Sequence, residues 1–417
     1  MSKSAKIKDD RELKMIIEPA RFLAALSLCL DFSNRGLNRH HQRVAYLVLS
    51  LAEELGLSRE EKILCFTSAI IHDAGVSTWR EKKPLASFDV DEPWEHCQRG
   101  CELLQRVSFL KPAAGVILSH HDRWRGPNPS GLTEEEIPLA ARLIHLADRL
   151  DIFLQYERCM LDQREDALQR IKKLSGQVFD PRLVDLLESL AHKESFWFDL
   201  ISPFMVKKLY ELAEPAAALQ IGPGELRELA GLFAAIIDAK STFTYRHSRR
   251  VAGVAAFLGR ELGLGGGSAF LEIAGLLHDL GKLCIPDEIL EKPGPLTPSE
   301  YNIIKQHVYY TYRILEEAGD LDPLPGWAGY HHEKLNGQGY PFHLKDRQLS
   351  LPARIMAVSD VFTALREDRP YRPGLTKEEI EAIMRQQKES GSIDAKVVDA
   401  CLENYAKLED LWHSYAF

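Results

Sequence analysis

The sequence predicts an all-α protein built from two tandem copies of one helical module. Apolar residues recur at helical spacing in VAYLVLSLAEELGL, from Val44, and again in VAGVAAFLGRELGL, from Val251. Each stripe is followed by a second apolar helix that ends in IIHDAG or LLHDLGK. Alternating strand patterns do not persist over useful lengths in either half, which excludes a sheet as the main scaffold.

Three further matched segments extend the duplication over most of the chain. HHDRWRGPNP in the first half corresponds to HHEKLNGQGYP in the second, ARLIHLADRLD to ARIMAVSDVFT, and SGQVFDPRLVDLLE to SGSIDAKVVDACLE. We therefore divide the 417 residues into a first module at 1–201, a helical linker at 202–222 and a second module at 223–417. Pro215 and the Gly222-Pro223-Gly224 turn are breakers within or beside that linker.

Composition and charge restrict the classes of partner. The chain is 45% hydrophobic and carries a net charge of -9 without a run of lysines or arginines, which argues against a DNA or RNA track and a polybasic membrane patch. The start, MSKSAKIKDDRELK, lacks an apolar signal core, and no apolar run reaches about 18 residues. The seven cysteines form no CxxC pair, which argues against a disulfide framework and a zinc ribbon. We expect a soluble, cytoplasmic protein.

Histidines and aspartates at the ends of the apolar helices are candidate metal ligands in both modules. Metal ions shared among them would satisfy these polar groups together, whereas a simple core would need a separate partner for each ring. The interval from the single histidine to the histidine pair is 24 residues in both copies. The second module offers His247, His278, Asp279, His307, His331, His332 and Asp360, and the first offers His40, His72, Asp73, His96, His120, His121 and Asp148.

The first ligand of the first module requires a choice between His40 and His41. Counting back from His72 favours His41, because the interval then equals that between His247 and His278. The flanking residues favour His40, because QRVA and RRVA then align and the extra residue falls in the loop LGLSREEK. Loops absorb insertions more readily than helices, and we therefore choose His40.

The donor set also restricts the metal. Imidazoles with carboxylates and no thiolate suit iron or manganese, with zinc, nickel or cobalt as alternatives, whereas magnesium prefers oxygen ligands and water.

The second module resembles the HD-GYP domain, a branch of the HD phosphohydrolases associated with cyclic di-GMP hydrolysis. The resemblance covers nearly all of residues 240–405. It rests on YRHS at 245–248, HDLGK at 278–282, IPDEILEKPGPLT at 285–297, KQH at 305–307, HHEKLNGQGYP at 331–341 and SDVFTALREDRPYRP at 359–373.

The resemblance implies a two-metal site made by the seven candidate ligands of the second module, with Asp279 bridging the ions. It also implies that Lys282 contacts the scissile phosphate and that Tyr340, Arg369 and Arg372 hold the bases and phosphates of a dinucleotide. Two departures stand out. STFTYR at 241–246 has no acid for the third metal of some members, and Asn336 stands where the family often has aspartate.

These features predict a metal-dependent phosphodiesterase that converts cyclic di-GMP to pGpG, GMP or both through attack by a metal-bridging hydroxide. A histidine base alone typically gives about 10²–10⁴-fold acceleration, which is too little for such slow hydrolysis, whereas metal binding lowers the pKa of water to about 7. Hydrolysis of 3',3'-cGAMP is the alternative within the same class. A non-catalytic cyclic dinucleotide sensor is the alternative outside it, although the intact HDLGK motif argues against a pure binder.

The first module keeps the metal shell but lacks the groups expected to grip a dinucleotide. It has Val76 in place of Lys282, GPNP in place of GQGYP, and Glu157 and Met160 in place of the two arginines. We interpret it as a degenerate HD domain that serves packing, dimerisation or regulation; a second hydrolase for another phosphorylated substrate is the alternative. A homodimer is expected only by analogy with other paired helical modules.

Overall fold

The computed structural model describes residues 17–32, 39–76, 85, 88, 94–217, 219–240, 246–319, 321–368 and 373–414. Within these ranges the chain consists of α-helices, four short 3-10 helices and three isolated β-bridges, with no extended strand. The all-α prediction is therefore confirmed. In the same ranges, no helix combines the length and the apolar character that crossing a bilayer requires.

The chain divides into two compact units. The N-terminal unit is formed mainly by Glu18–Gln220, and the C-terminal unit by Ile221–Glu316 and Asp320–Phe417. The boundary between the two units lies at 220–221, inside the segment 202–222 that the sequence predicts as a helical linker. The helices of this segment, Met205–Leu212 and Glu214–Ala217, pack against helices of the N-terminal unit, so most of the segment is part of that unit.

The N-terminal unit contains eleven described α-helices. They are α1 (Pro19–Phe32), α2 (His40–Glu54), α3 (Arg59–Ala69), α4 (Trp94–Leu104), α5 (Lys111–Leu118), α6 (Leu139–Phe153), α7 (Met160–Lys173), α8 (Pro181–Ala191), α9 (Glu194–Ile201), α10 (Met205–Leu212) and α11 (Glu214–Ala217). Helix α2 lies at the centre and packs against α3, α6 and α10. The stripe residues Val44, Leu47, Val48 and Leu51 are buried, as the sequence pattern predicts, whereas Leu55, just after the helix end, is 39% exposed.

The C-terminal unit also contains eleven described α-helices. They are α12 (Pro223–Lys240), α13 (His247–Glu261), α14 (Gly267–Leu277), α15 (Asp287–Leu290), α16 (Pro298–Ile304), α17 (Gln306–Glu317), α18 (Leu324–Gly329), α19 (Leu351–Arg366), α20 (Lys377–Glu389), α21 (Ala395–Glu403) and α22 (Tyr405–Ser414). Helix α13 takes the central position that α2 holds in the other unit, and it packs against α14 and α19.

The central helix of each unit begins at a candidate ligand, after a residue with left-handed backbone. Arg39 has a φ of 64° and Arg246 a φ of 70°, a conformation that is uncommon for residues other than glycine. His40 and His247 follow as the first helical residues of α2 and α13. Both units therefore use the same turn to bring a buried histidine to the start of the central helix.

A glycine two residues after each His-Asp pair allows the turn that follows the pair to approach the backbone of the helix carrying the next candidate histidine. A Cβ atom on Gly281 would lie 2.0 Å from the carbonyl oxygen of His307, and one on Gly75 would lie 1.9 Å from that of His96. Both positions therefore exclude any side chain. In the C-terminal unit the Gly281 amide also donates to Thr311 Oγ1 at 2.9 Å, which holds the HDLGK turn against α17.

Candidate metal centres

The C-terminal unit brings its seven candidate ligands together in one buried pocket. Asp279 lies in the middle, with Oδ2 3.2 Å from His278 Nε2 and Oδ1 3.4 Å from His307 Nε2. Asp360 Oδ1 lies 3.3 Å from His247 Nε2. Six of the candidate donors form two groups, and within each group the donor atoms all lie within 4.8 Å of one another. One group is His247, His278 and Asp279, and the other is His307, His331 and His332. The two oxygens of Asp279 point towards different groups, as a bridging carboxylate requires.

Backbone carbonyls determine the orientation of three of these rings. The Nδ1 atoms of His278, His307 and His331 lie 2.7, 2.6 and 2.7 Å from the carbonyl oxygens three residues earlier in the chain. A carbonyl oxygen can only accept, so each Nδ1 carries the proton and each Nε2 keeps its lone pair. Such hydrogen bonds are typical partners of metal-ligating histidines, because they hold the ring with Nε2 directed at the metal.

The same three Nε2 atoms are buried and make no hydrogen bond within the described part of the chain. Leaving an acceptor unpaired in the interior costs about 1–3 kcal/mol, so three such atoms facing one space need an explanation. Divalent ions accept electron pairs from neutral imidazoles and from carboxylates, and both donor types are present. The residues therefore fit a metal centre better than a hydrogen-bonded polar core.

Burial and neighbouring charges favour the protonation states that a metal centre needs. Burial lowers the pKa of His307 to about 3, although Asp279 opposes this shift. Burial also lowers the pKa of His331 well below its usual value. Burial opposes the charged form of Asp279, yet His278 and Lys282 keep its pKa well below the usual range. Neutral rings and an ionised carboxylate are the forms that coordinate metals.

His247 differs because a second carboxylate holds its outer nitrogen. Its Nδ1 donates to Glu367 Oε2 at 2.8 Å, and Glu367 Oε1 also accepts from Arg250 at 3.2 Å. Burial lowers the pKa of His247, but Glu367 and Asp360 outweigh it and raise the pKa to about 10. A metal ion at Nε2 would have to replace that proton, so metal affinity is expected to increase with pH.

The pocket reaches solvent at a mouth formed by Lys282, His332 and Tyr340. The side chains of Lys282 and His332 are 20% and 32% exposed, whereas that of Asp279 is 3% exposed. Lys282 Nζ lies 2.6 Å from Asp279 Oδ2. The Tyr340 ring lies over His332, with ring centroids 5.1 Å apart. Lys282 and Tyr340, which the family resemblance assigns to the substrate, therefore each lie beside a candidate metal ligand, Lys282 beside Asp279 and Tyr340 beside His332.

Two residues that the sequence analysis did not select extend this mouth. The Tyr301 ring meets the Tyr340 ring edge to face at 6.2 Å and is 44% exposed. Lys305 Nζ lies 4.8 Å from the centre of the Tyr301 ring and 5.9 Å from that of Tyr340. In the sequence, Tyr301 lies six residues and Lys305 two residues before the buried candidate ligand His307, and Lys305 begins the KQH motif at 305–307.

Glu333 and Asn336 stabilise the loop that carries Tyr340 through hydrogen bonds with the backbone. Glu333 is buried and accepts from the backbone amides of Phe342 and Leu344 at 2.7 and 2.9 Å. Asn336 accepts from the Gln338 amide at 3.0 Å, and its Nδ2 lies 3.4 Å from Ser390 O. Nδ2 donates to that carbonyl, which an aspartate could not do, and this is the structural effect of the departure at position 336.

The N-terminal unit gathers the equivalent residues in the same arrangement. Its donors form one group of His40, His72 and Asp73 and a second of Asp73, His96, His120 and His121, each within 4.8 Å. Asp73 belongs to both groups. The structure places His40, the residue chosen from its flanks, in this cluster, with Nε2 3.4 Å from Asp148 Oδ1. His41 instead contacts Asp31 through Nδ1 at 2.5 Å.

A second carboxylate also supports the first ligand in the N-terminal unit, but it comes from another position. His40 Nδ1 donates to Asp151 Oδ2 at 2.8 Å, and Arg43 donates to Asp151 Oδ1 at 2.7 Å. Tyr156 also donates to Asp151. In the C-terminal unit the same two contacts are made by Glu367, which follows α19, whereas Asp151 lies inside α6.

Among the residues that the structure describes, the N-terminal pocket has no counterpart of the Lys282 side chain. Val76, in place of Lys282, is buried in the core, and so is Met160. Glu157 is exposed. A different cation enters the pocket wall: Arg149 Nη2 donates to Asp148 Oδ2 at 2.6 Å, where the other unit has the apolar Val361.

Three sequence-based expectations fall on residues outside the described part of the chain. Arg369 and Arg372 lie in 369–372, and five of the six residues of STFTYR lie in 241–245. The roles of the two arginines and the lack of an acid for a third metal therefore remain predictions from the sequence.

Comparison with known proteins identifies the family. The HD domain family is matched twice, over residues 25–183 and 231–397. A 3'3'-cGAMP-specific phosphodiesterase 1 from Vibrio cholerae is 36% identical over 88% of this chain and 86% of its own length. A 3'3'-cGAMP-specific phosphodiesterase 3 from the same organism is 35% identical over 70% of this chain and 62% of its own length.

A second type of relative matches a shorter stretch, and a solved structure matches nearly the whole fold. A cyclic di-GMP phosphodiesterase from Pseudomonas aeruginosa is 38% identical over 39% of this chain and 40% of its own length. The crystal structure of the cyclic GMP-AMP-specific phosphodiesterase V-cGAP3 of V. cholerae covers 95% of this chain and 99% of its own, with a TM-score of 0.67 and 27% identity. Two family matches, an all-α fold and two clustered His-Asp shells lead to one conclusion: the chain is a phosphodiesterase of the HD domain family.

Proposed function

We propose that the C-terminal unit hydrolyses a cyclic dinucleotide and that its preferred substrate is 3',3'-cGAMP. The observation that carries the proposal is the solvent-open mouth, where a cation, a ligand histidine and a tyrosine border one buried His-Asp shell. Cyclic di-GMP was the first expectation from the sequence. The relatives that match most of this chain favour the alternative, because both are named for 3'3'-cGAMP.

The metal ions would be held by the seven ligands of the C-terminal unit, and iron or manganese suits their donor types best. Bound there, the ions would supply a water molecule of lowered pKa and positive charge beside the phosphoryl group. Asp279 would hold both ions through its two oxygens, which face the two histidine groups. Glu367 would keep His247 in the orientation that directs Nε2 into the pocket.

Lys282 would bind the non-bridging oxygens of the phosphate under attack. Its ammonium already pairs with Asp279 at the rim of the pocket, and it is exposed enough to reach a ligand. Charge builds on those oxygens as the phosphodiester bond breaks, so a fixed cation stabilises the transition state more than the ground state. The product would be a linear dinucleotide with a terminal phosphate.

The aromatic part of the mouth would receive a purine. Tyr301 and Tyr340 present two rings at about a right angle beside His332, and Lys305 lies above both. Bases stack on aromatic rings, and a nearby ammonium can contact a phosphate or a base carbonyl. Arg369 and Arg372 keep the substrate-binding roles that the family resemblance implies.

Cyclic di-GMP is the second candidate substrate, and one observation favours it. The relative from P. aeruginosa, named for cyclic di-GMP, is as similar in its aligned part, at 38% identity, as the cGAMP enzymes are in theirs. That alignment covers less than half of either chain. The tandem arrangement over most of the chain therefore supports 3',3'-cGAMP.

A competition assay tests the proposal. Full-length protein loaded with manganese or iron would receive equal concentrations of 3',3'-cGAMP and cyclic di-GMP, and the products would be separated by chromatography. We expect kcat/KM for 3',3'-cGAMP to exceed that for cyclic di-GMP by about tenfold or more, which corresponds to about 1.4 kcal/mol. Faster cleavage of cyclic di-GMP would reverse the substrate assignment. Cleavage of neither by metal-loaded protein would favour the sensor alternative.

A further inference from the structure

Lys240 is a buried cation of the C-terminal unit that lies outside the candidate ligand set. It is the last residue of α12, and its side chain is only 1% exposed. Moving an ammonium group into the protein interior is costly unless the group is paired and fully hydrogen-bonded. The contacts that Lys240 makes must therefore offset the cost of its burial.

The ammonium group of Lys240 donates to two backbone carbonyls just after the HDLGK motif. Its Nζ lies 2.8 Å from Leu283 O and 2.7 Å from Ile285 O, and it lies 3.4 Å from Asp287 Oδ1. Hydrogen bonds from a charged donor are about twice as strong as those between neutral groups. Lys240 thus joins the end of α12 to the end of the 3-10 helix Leu280–Cys284.

The contacts made by Lys240 and Thr311 lie on either side of Lys282. On one side, the Gly281 amide donates to Thr311 Oγ1 in α17 at 2.9 Å. On the other side, the Leu283 carbonyl accepts from Lys240 Nζ at 2.8 Å. The backbone around Lys282 is therefore attached to two helices, and this attachment fixes the direction in which the Lys282 side chain leaves the turn.

The sequence of the N-terminal copy lacks both lysines. DFSNRGLNRH in the first copy aligns without a gap with DAKSTFTYRH in the second, and this alignment puts Ser33 in place of Lys240. Val76 stands in place of Lys282. The copy that has lost the lysine assigned to the phosphate has therefore also lost the lysine behind it, which links the two residues.

We propose that Lys240 is a positioning residue that holds Lys282 where its ammonium group meets the phosphate under attack. This role rests on the proposed function, in which Lys282 binds the non-bridging phosphate oxygens. A preorganised cation stabilises developing charge only at the correct distance, and a displacement of about 1 Å can lower a rate by about 10²-fold. The two charge-assisted hydrogen bonds from Lys240 limit such a displacement.

A double-mutant cycle on the metal-loaded full chain tests whether Lys240 acts through Lys282. Lys240→Met removes the donor and should lower kcat about tenfold, with KM and metal content unchanged. Lys282→Val should lower kcat about 10²-fold, and the double variant should show nearly the same loss, because no ammonium group remains to be positioned. A loss of about 10³-fold in the double variant would overturn the proposal, since a merely structural defect multiplies with the effect of Lys282→Val.

A matched control on the same helix separates the effect of Lys240 from a general effect on α12. Arg227→Met also removes a cation of α12, one that pairs with Glu272 at 2.8 Å, and it should leave kcat near wild type. The cycle uses whichever cyclic dinucleotide the wild type cleaves faster, so the substrate assignment does not affect it. Absence of cleavage by metal-loaded wild type would instead overturn the proposed function, and the role of Lys240 with it.

Amide hydrogen exchange tests the contact without any substrate. The Lys282 amide donates to Asp279 O at 2.8 Å, and the Ile285 amide donates to Lys282 O at 3.0 Å. Both amides should exchange at least about tenfold faster in Lys240→Met, because opening of the turn no longer breaks two charge-assisted bonds, and at the wild-type rate in Arg227→Met. Equal exchange in Lys240→Met and wild type would overturn the proposal. If Lys240→Met does not fold, Lys240→Gln, which keeps a side-chain N–H donor, replaces it in both measurements and should show the same pattern with smaller effects.

Discussion

The two pockets of this chain contain the same set of candidate metal ligands but differ in the residues at their solvent-exposed edge. Each contains five histidines and two aspartates, with one aspartate between two imidazole groups. The C-terminal pocket opens at Lys282 and His332, whereas the N-terminal pocket has Val76 and the buried His121 at the equivalent positions. The comparison teaches that this fold can keep one set of candidate ligands while it changes the residues through which a substrate would reach them.

The carboxylates that orient the first histidine of each pocket also differ between the two units. Both units place one buried carboxylate between the first histidine and an arginine three residues later, but the carboxylate is Asp151 in one and Glu367 in the other. The duplicated chain has kept the contact and not the residue position. A contact that survives such a change is required by the histidine it orients.

The largest expected effect comes from breaking the bridge in the open pocket. Asp279→Asn removes the charge that both imidazole groups share and should lower kcat/KM for 3',3'-cGAMP by at least about 10³-fold, since the metals supply several kcal/mol of transition-state stabilisation. Asp73→Asn makes the same change in the N-terminal pocket, which has Val76 in place of the lysine, and should leave turnover near wild type. Chromatographic turnover assays on both folded variants check this prediction. Equal losses in the two would remove the distinction between the pockets.

The second prediction transfers one residue of the N-terminal pocket, the valine at position 76, to the equivalent position 282 of the C-terminal pocket. Lys282→Val should reduce kcat by about 10²-fold, or about 2.7 kcal/mol, because a fixed cation at the developing charge is lost. Metal content should not fall, since the lysine is not a ligand, and elemental analysis would verify this. Lys282→Arg keeps the charge and serves as the control. Unchanged kcat in Lys282→Val with full metal content would refute the role of the lysine.

The third prediction concerns a buried aspartate that contacts the first turn of each central helix, Asp238 in the C-terminal unit and Asp31 in the N-terminal unit. Burial raises the pKa of Asp238 to about 6, with Ser248 opposing through hydrogen bonds. The folded state therefore binds this proton more tightly than the unfolded state. The protonated carboxyl group contributes its full stabilisation to the folded state below about pH 4, and this contribution is lost as the pH rises through about 6. The shift is about two pKa units, which sets an upper limit of about 3 kcal/mol.

Thermal unfolding between pH 4 and pH 8 would check this sign. Asp238→Asn should flatten the decrease in melting temperature, because amides do not titrate. Its counterpart Asp31 pairs with His41 at 2.5 Å, so Asp31→Asn is the matched control and should lower the melting temperature instead. A wild-type slope that persists in Asp238→Asn would exclude this carboxyl as its source.

The smallest predicted effect concerns the aromatic edge of the mouth. Tyr301→Ala should raise KM for 3',3'-cGAMP about fivefold with kcat nearly unchanged, since stacking of one ring is worth about 1 kcal/mol. Tyr301→Phe keeps the ring and should retain the wild-type KM. Steady-state kinetics on both variants would check this. A KM for Tyr301→Ala equal to that of wild type would show that the base lies elsewhere.

The ligand set and the duplication could be predicted because both are encoded at fixed intervals. Histidines at helix ends, 24 residues apart in both copies, indicate a shared centre, and the flanks of His40 distinguish it from His41. The structure brings these residues together. Helical periodicity also predicts the buried stripes of α2 and α13.

The remaining features depend on contacts between distant segments, which spacing does not reveal. Asp151 and Glu367 do not occupy equivalent positions in the two copies, so a comparison of the copies does not identify them as a pair. The role of Arg149 becomes apparent only from its hydrogen bond to Asp148. Tyr301 lies in a short helix whose approach to Tyr340 is set by the loop that Glu333 holds. The proposed linker at 202–222 is amphipathic, and nothing in its composition indicates that it packs on the N-terminal unit.

Anomalous diffraction from crystals of the full chain grown with manganese would test the central claim most directly. The account predicts two peaks in the C-terminal pocket, one on each side of Asp279, with the Nε2 atoms of His278, His307 and His331 about 2 Å from a peak. A map from metal-saturated crystals with no peak there, and with those three nitrogens hydrogen-bonded to protein or water, would contradict it.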